Sequence, residues 1–195
     1  QNKGSQAQEK PTFIMLAAGN SRRFGSNKLL YEIGGVPMYL RTLHKLQKAA
    51  SELGNCEIIV VTQYEEIEQA ARSLGVNVYI NPHPDEGISS SLKIGLKANL
   101  DVDACLFTVS DQPWLTIATI RQLITLLKTS GKGIACVSCE GKLGNPCIFT
   151  KKYYDSLLSI NGDKGGKAVI TAHRDDTVVL KVNDVKELTD VDVKY

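Results

Sequence analysis

Apolar and polar positions alternate along this chain in blocks. Short apolar runs stand at TFIMLA (Thr12–Ala17), EIIVVT (Glu57–Thr62), VNVYI (Val76–Ile80) and DACLFTVS (Asp103–Ser110). Each has strand length and ends in polar or glycine-bearing sequence, which predicts strands buried on both faces. Segments with helical spacing lie between them. PMYLRTLHKLQKAASEL (Pro37–Leu53) has Pro in its first turn and Gly54 beyond its end, and YEEIEQAARSL (Tyr64–Leu74) stops at Gly75. A helix is predicted from Ile88 and another over Ile117–Lys128. KGIACVS and NPCIFT (Asn145–Thr150) read as strands, KKYYDSLLSI as a helix, GDKGGKAVITAH as a glycine-rich turn becoming helical, and TVVLKV as a late strand.

This alternation predicts an α/β fold, a mostly parallel sheet with helices on both faces in a Rossmann-like arrangement. Ligands of such sheets sit off the carboxyl ends of the strands. Three loops are thereby singled out: 18–28, 81–91 and 110–114. No linker, repeat or low-complexity segment interrupts the pattern, so a single domain over 12–195 is expected, preceded by a polar, mobile tail at 1–11.

Composition narrows the function. A net charge of +2 with no basic run argues against a dedicated nucleic-acid binder. No apolar run is long enough to span a bilayer, and the polar N-terminal stretch has no secretory centre, so a cytoplasmic protein without membrane contact is expected. The cysteines, Cys56, Cys105, Cys136, Cys139 and Cys147, are odd in number and irregularly spaced, which suits reduced thiols used as small apolar filler. Cys136 and Cys139 match C-x-x-C, but no second pair of metal ligands lies nearby. His44 falls mid-helix and reads as structural, and His83 is assigned no role.

The candidate chemistry begins at LAAGNSRRFGSNKLL (Leu16–Leu30). Ala17, Ala18 and Gly19, following Leu16, let backbone approach a ligand closely, and successive N–H groups in such a turn can line an anion site. Arg22 and Arg23 add planar forks and Lys28 a point charge. The spacing is neither a P-loop nor a dinucleotide fingerprint. A solvated basic turn would carry the same charges; the position directly after the first buried strand favours a nucleotide triphosphate. Asp111 stands where an apolar strand meets Pro113, a natural place for a Mg²⁺ ligand, since Mg²⁺ takes one or two carboxylates together with phosphate oxygens. In DVD, Asp190 and Asp192 alternate along an extended segment and so are expected to point the same way.

These stretches, with IGGVPM, NPHPDEGISSSL, SDQPWL, GNPCIF, NGDKGGKAVI and LTDVDV in order, resemble the nucleotidyltransferases of the molybdenum-cofactor type, and among them the molybdenum cofactor cytidylyltransferases. The resemblance runs from Thr12 to Val193. It implies transfer of a cytidylyl group from CTP to the phosphate of a molybdopterin-type cofactor, with Mg²⁺, serving a molybdenum hydroxylase. It implies that Lys28, Arg22, Arg23 and Asp111 are catalytic and that Asp111 and Asp192 hold the metal. It also implies that Leu16–Gly19, Asn81, Gly87, Ser90 and Ser91 meet the nucleotide. Asn145, Gly162, Asp163 and Lys167 match acceptor-side segments; Asn145 stands where a histidine is often found, and Lys167 where an arginine is. Cytidine-preferring members tend to show LAAG, as here, and guanylyl relatives LAGG, so the methyl of Ala18 would narrow the base pocket. Guanylyl or sugar-phosphate nucleotidyl transfer on the same fold, and a non-catalytic cofactor-handover protein, remain as alternatives.

Overall fold

The computed structural model describes residues 10–21 and 24–192. Its first strand, β1 (Thr12–Ala17), is buried along its whole length and lies mid-sheet. The remaining elements follow in chain order as β2 (Glu32–Ile33), β3 (Val36–Pro37), α1 (Met38–Glu52), β4 (Ile58–Thr62), α2 (Glu65–Ser73), β5 (Asn77–Ile80) and α3 (Ile88–Lys97). After these come β6 (Ala104–Val109), α4 (Ile117–Ser130), β7 (Ile134–Cys139), β8 (Lys142–Thr150), α5 (Tyr154–Leu158), α6 (Gly166–Ala172) and β9 (Thr177–Lys181).

The main sheet has the order β5-β4-β1-β6-β8-β7-β9. Each neighbouring pair is parallel except those made by β8, which is antiparallel to both β6 and β7. The reversal follows from a tight hairpin. Glu140 and Gly141 join β7 to β8 with φ of 51° and 78°, the left-handed pair that a two-residue turn with matching twist requires. A second small hairpin pairs β2 with β3 across Gly34 and Gly35, at φ 61° and 79°.

Alternate residues of β1 enter opposite layers, as a strand with period two must. Phe13, Met15 and Ala17 pack with Leu43 and Leu46 of α1 and Leu123 of α4. Ile14 and Leu16 pack with Leu92 and Leu96 of α3, Leu157 of α5 and Ile170 of α6. The five cysteines are free and buried. Burial raises the thiol pKa of Cys105 to about 11, with its Tyr154 hydrogen bond opposing the rise, and burial also raises that of Cys136. These thiols stay protonated at neutral pH and act as packing groups.

One expectation about the tail is corrected. Pro11 is buried, and the Lys10 ammonium donates to the Gly54 carbonyl, so these two residues belong to the folded body. The rest of the expected tail, 1–9, lies outside the described residues. Among the described residues no helix is long and apolar enough to cross a membrane.

Candidate active site

β1 and β6 are parallel neighbours in a register that sets Leu16 opposite Val109. Their carboxyl ends therefore open side by side, and the loop from Ala18 meets the loop from Ser110. Lys28 arrives on a single 3-10 turn, Lys28–Leu30. The Asn27 side chain accepts from Leu29 N at 3.1 Å, Ser21 Oγ accepts from Lys28 N at 3.0 Å, and Leu29 is buried beneath. The C-terminal segment closes the arrangement. Val191 packs into a cluster with Phe24 and Met38, and its N–H donates to the Asp111 carbonyl at 3.0 Å. Asp192 is thereby brought over the same spot.

The result is one cation between two acids. Lys28 Nζ stands 2.8 Å from Asp111 Oδ2 and 3.3 Å from Asp192 Oδ1. Burial alone would lower the Lys28 pKa, but the charges and hydrogen bonds of Asp111 and Asp192 outweigh it and hold the ammonium above its ordinary value.

These groups lie in a cleft of about 580 Å³ lined from four chain segments, with Leu16, Ala18, Gly19, Lys28, Gly87, Ser91 and Asp111 among its walls. A hollow of about 210 Å³ adjoins it and is lined by Asn145, Gly165, Gly166 and Lys167 with apolar Phe107, Leu143 and Ile170. Leu16, Ile88, Val109 and Asp163 border both spaces. The cleft and hollow together could take two ligands in contact.

The sequence-predicted residues divide accordingly. Leu16, Ala18, Gly19, Lys28, Gly87, Ser91, Asp111 and Asp163 line the cleft; Asn145 and Lys167 line the hollow. Ala17 is buried and does not line either space. Arg22 and Arg23 lie outside the described residues.

Asn81 requires a correction. Its side chain is 2% exposed, its Nδ2 donates to Ser90 Oγ and Ser91 Oγ at 2.9 Å each, and its Oδ1 accepts from His83 N at 2.8 Å. It brackets the 81–91 loop from behind instead of presenting an amide to a base. Ser90 is drawn into the same bracket, since its hydroxyl also donates to the Gly87 carbonyl at 2.7 Å. Gly162 acts through its backbone, its carbonyl accepting from Ser89 N at 3.1 Å.

Gly87 sits against that contact. Its φ is +92°, and a Cβ there would meet the Gly162 carbonyl at 2.4 Å and Asp163 Oδ1 at 2.7 Å. Gly87→Ala is therefore expected to cost about 2–4 kcal/mol of stability and to displace the 81–91 loop, read by urea unfolding against wild type. An unchanged midpoint would show that the loop tolerates the methyl group.

Asp190 and Asp192 do not share one partner. Asp192 turns to Lys28, whereas Asp190 Oδ1 accepts from Gln112 Nε2 at 3.0 Å. Asp190 keeps an exposed face, yet atoms packed around its carboxyl desolvate it and raise its pKa, and the negative charge of Asp111 adds to the rise. A carboxyl raised in the fold disfavours its charged form there. The penalty is full above the folded pKa and disappears as pH falls below the ordinary value of 3.8. Asp190→Asn, which keeps the acceptor oxygen, is expected to raise the melting temperature by about 1–2 °C at pH 7 and to lose that advantage near pH 3. A lowered melting temperature at pH 7 contradicts this.

Gln112 and Ser110 were not predicted. Both are buried polar residues flanking Asp111 at the end of an apolar strand, and that flanking pattern was the available signal.

The donor set fits a hard divalent cation. Two carboxylates reach one ammonium, so both can face one small cation at that point. Among the described residues no three His, Cys, Asp or Glu side chains group closely enough to form a metal cage.

An α/β sheet with a cleft at its strand ends is the architecture of the nucleotidyltransferases, and solved members of that class share the fold of this chain. The chain belongs to the family described as MobA-like NTP transferase domain, whose model matches residues 13–178. It is 33% identical over 129 residues to a protein of Pyrococcus horikoshii named probable molybdenum cofactor guanylyltransferase, covering 63% of this chain and 59% of that one. The aligned part thus spans under two thirds of that relative's length. It is 23% identical over 189 residues to the purine catabolism protein PucB of Bacillus subtilis, covering 92% and 90%. The crystal structure of Rv0371c from Mycobacterium tuberculosis in complex with manganese has the same fold, with a TM-score of 0.71, 22% identity and coverage of 90% and 89%.

Proposed function

We propose that this protein transfers a cytidylyl group from CTP to the terminal phosphate of a molybdopterin-type cofactor and releases pyrophosphate. The carrying observation is the Lys28 ammonium, within 3.3 Å of both Asp111 and Asp192 in a cleft that adjoins a second hollow. The family match supports the reaction class, and the name of the Pyrococcus relative supports the acceptor.

The chemistry needs little from a base. A phosphate monoester has a second pKa of about 6, so the acceptor oxygen is largely ionised at neutral pH. That oxygen attacks the α-phosphorus of CTP, the bond from the α-phosphorus to the α,β-bridging oxygen breaks, and pyrophosphate leaves with the electron pair. Catalysis then rests on positioning and charge neutralisation. Lys28 offsets charge on the transferring and leaving phosphates, together with Arg22 or Arg23. Asp111 and Asp192 would hold a Mg²⁺ ion, which supplies Lewis-acid neutralisation of phosphate oxygens when bound. The manganese complex of Rv0371c supports a divalent ion at this fold. The hollow with Asn145, Asp163 and Lys167 would take the acceptor, and a molybdenum hydroxylase would receive the product; a cytoplasmic setting follows from that role.

A second reading, guanylyl transfer from GTP to the same acceptor, is favoured by the name of the Pyrococcus relative. Ala18 separates the two. It lines the cleft, and its methyl group would narrow the space left for a base placed there. Ala18→Gly is expected to raise the GTP-to-CTP ratio of kcat/KM by about tenfold, the scale of one added methyl in a tight pocket. An unmoved ratio removes Ala18 as the selector. The proposal itself is tested by pyrophosphate release with CTP and with GTP, each with and without molybdopterin cofactor. Release that requires CTP and cofactor together is expected. Release with neither nucleotide contradicts catalysis and leaves the handover role.

A further inference from the structure

Four consecutive carbonyls at the end of β1 are each met by a side-chain donor from a neighbouring strand end. Ser110 Oγ donates to the Leu16 carbonyl at 2.8 Å and Thr62 Oγ1 to the Ala17 carbonyl at 2.8 Å. Gln63 Nε2 donates to the Ala18 carbonyl at 2.7 Å, and Tyr64 Oη to the Gly19 carbonyl at 2.5 Å. Gln63 Nε2 also reaches Asn20 Oδ1 at 3.0 Å. Three of the four donors, Thr62, Gln63 and Tyr64, are successive residues leaving β4.

The β1–β4 ladder ends at Ala17 opposite Thr62, so the carbonyls of Ala18 and Gly19 lie beyond the sheet. Water could satisfy them in an open loop. Side chains held on each in turn fix something water would not, the rotation of every peptide plane. In a trans peptide the N–H of the next residue points opposite to the carbonyl. Drawing the carbonyls of Ala18 and Gly19 toward Gln63 and Tyr64 therefore turns the N–H groups of Gly19 and Asn20 the other way. Gly19 and Asn20 line the 580 Å³ cleft, and Gln63 and Tyr64 do not. Burial raises the Tyr64 pKa, with Ser21 and Lys28 opposing the rise, so the phenol keeps its proton and remains a donor at neutral pH.

We infer that Gln63 and Tyr64 are positioning residues for the nucleotide, holding the loop so that its backbone N–H groups face the cleft as a fixed set of donors. The inference rests on the nucleotide reading given above. A loop in this state offers hydrogen-bond donors first, which suits phosphate, ribose or base-carbonyl oxygens and disfavours a ligand edge that itself donates. The role is separate from that of Asp111 and Asp192, which neither residue touches.

Gln63→Met keeps the length of the side chain and removes its donors without adding charge; Tyr64→Phe removes one oxygen. Both would be compared with wild type for Mg–CTP and Mg–GTP binding by calorimetry, for KM and kcat, and for Mn²⁺ binding without nucleotide. The expected result is a nucleotide Kd and KM raised about tenfold in Gln63→Met and about threefold in Tyr64→Phe, the scale of one or two lost hydrogen bonds. At saturation kcat should stay within about threefold, and Mn²⁺ binding should not move, because the loop donors act on binding and not on the metal ligands. If Gln63→Met fails to fold, Tyr64→Phe carries the test alone. Folded variants that bind nucleotide as wild type does overturn the inference and leave the nucleotide reading standing. Parallel loss of nucleotide and Mn²⁺ binding also overturns it, since that marks general loosening. A wild-type protein that binds neither nucleotide overturns the reading and the inference together.

Discussion

Asp111→Asn is expected to lower nucleotidyl transfer by about a thousandfold while the protein stays folded, as far-UV circular dichroism and urea unfolding would verify. The size follows from position. Asp111 is the less exposed of the two acids on Lys28, with 19% of its side chain open to solvent against 57% for Asp192. It stands on the first loop residues after β6, whose strand is locked between β1 and β8. Asparagine keeps the shape and one oxygen acceptor but removes the charge, so it separates electrostatics from packing. Asp192 follows Val191, which packs against Phe24 and Met38, and is the more exposed acid of the pair. Asp192→Asn should therefore lose less, about ten- to a hundredfold. Equal losses in both variants would show that the two acids carry the metal evenly.

Lys28→Met should move two observables in opposite directions. Transfer should fall by about a hundredfold, because in the proposed reaction Lys28 is the point charge that offsets the phosphates. Affinity for Mn²⁺ in the absence of nucleotide should rise by about fivefold. In the free protein the ammonium sits on both carboxylates, 2.8 Å and 3.3 Å away, and competes with any added cation for the same oxygens. Mn²⁺ titration by electron paramagnetic resonance reads that competition directly. Unchanged or weakened Mn²⁺ binding in Lys28→Met would mean that the metal uses other oxygens.

The sequence discloses most of the frame and half of the site. β1, β4 and β6 are apolar runs of strand length, and a parallel sheet leaves such strands no polar face, so they are readable without neighbours. Of the charges that follow the first of them, Lys28 stands at the strand ends beside Asp111, and Arg22 and Arg23 lie outside the described residues. Only the NPCIFT part of β8 has the pattern of a strand; Lys142–Gly144 carries little strand propensity and pairs because Glu140 and Gly141 turn the chain back on β7. The β2–β3 hairpin leaves no trace in the sequence pattern, because two-residue strands have no periodicity. At Asn81 the sequence alone leaves two roles open. An amide serves a base edge and a buried bracket equally well, and only the hydroxyls of Ser90 and Ser91 folded against it decide between them. Gln63 and Tyr64 were invisible as site residues because their roles arise across the sheet, 45 positions from the carbonyls they hold.

In the proposed reaction Lys28, Asp111 and Asp192 form one site for a divalent cation and a triphosphate. The most direct test is Mn²⁺ electron paramagnetic resonance with a non-hydrolysable CTP analogue, in wild type and in Asp111→Asn. A Mn²⁺–nucleotide–protein signal in wild type that weakens at least tenfold in Asp111→Asn is the outcome the site predicts. An equally strong ternary signal in both proteins would contradict it.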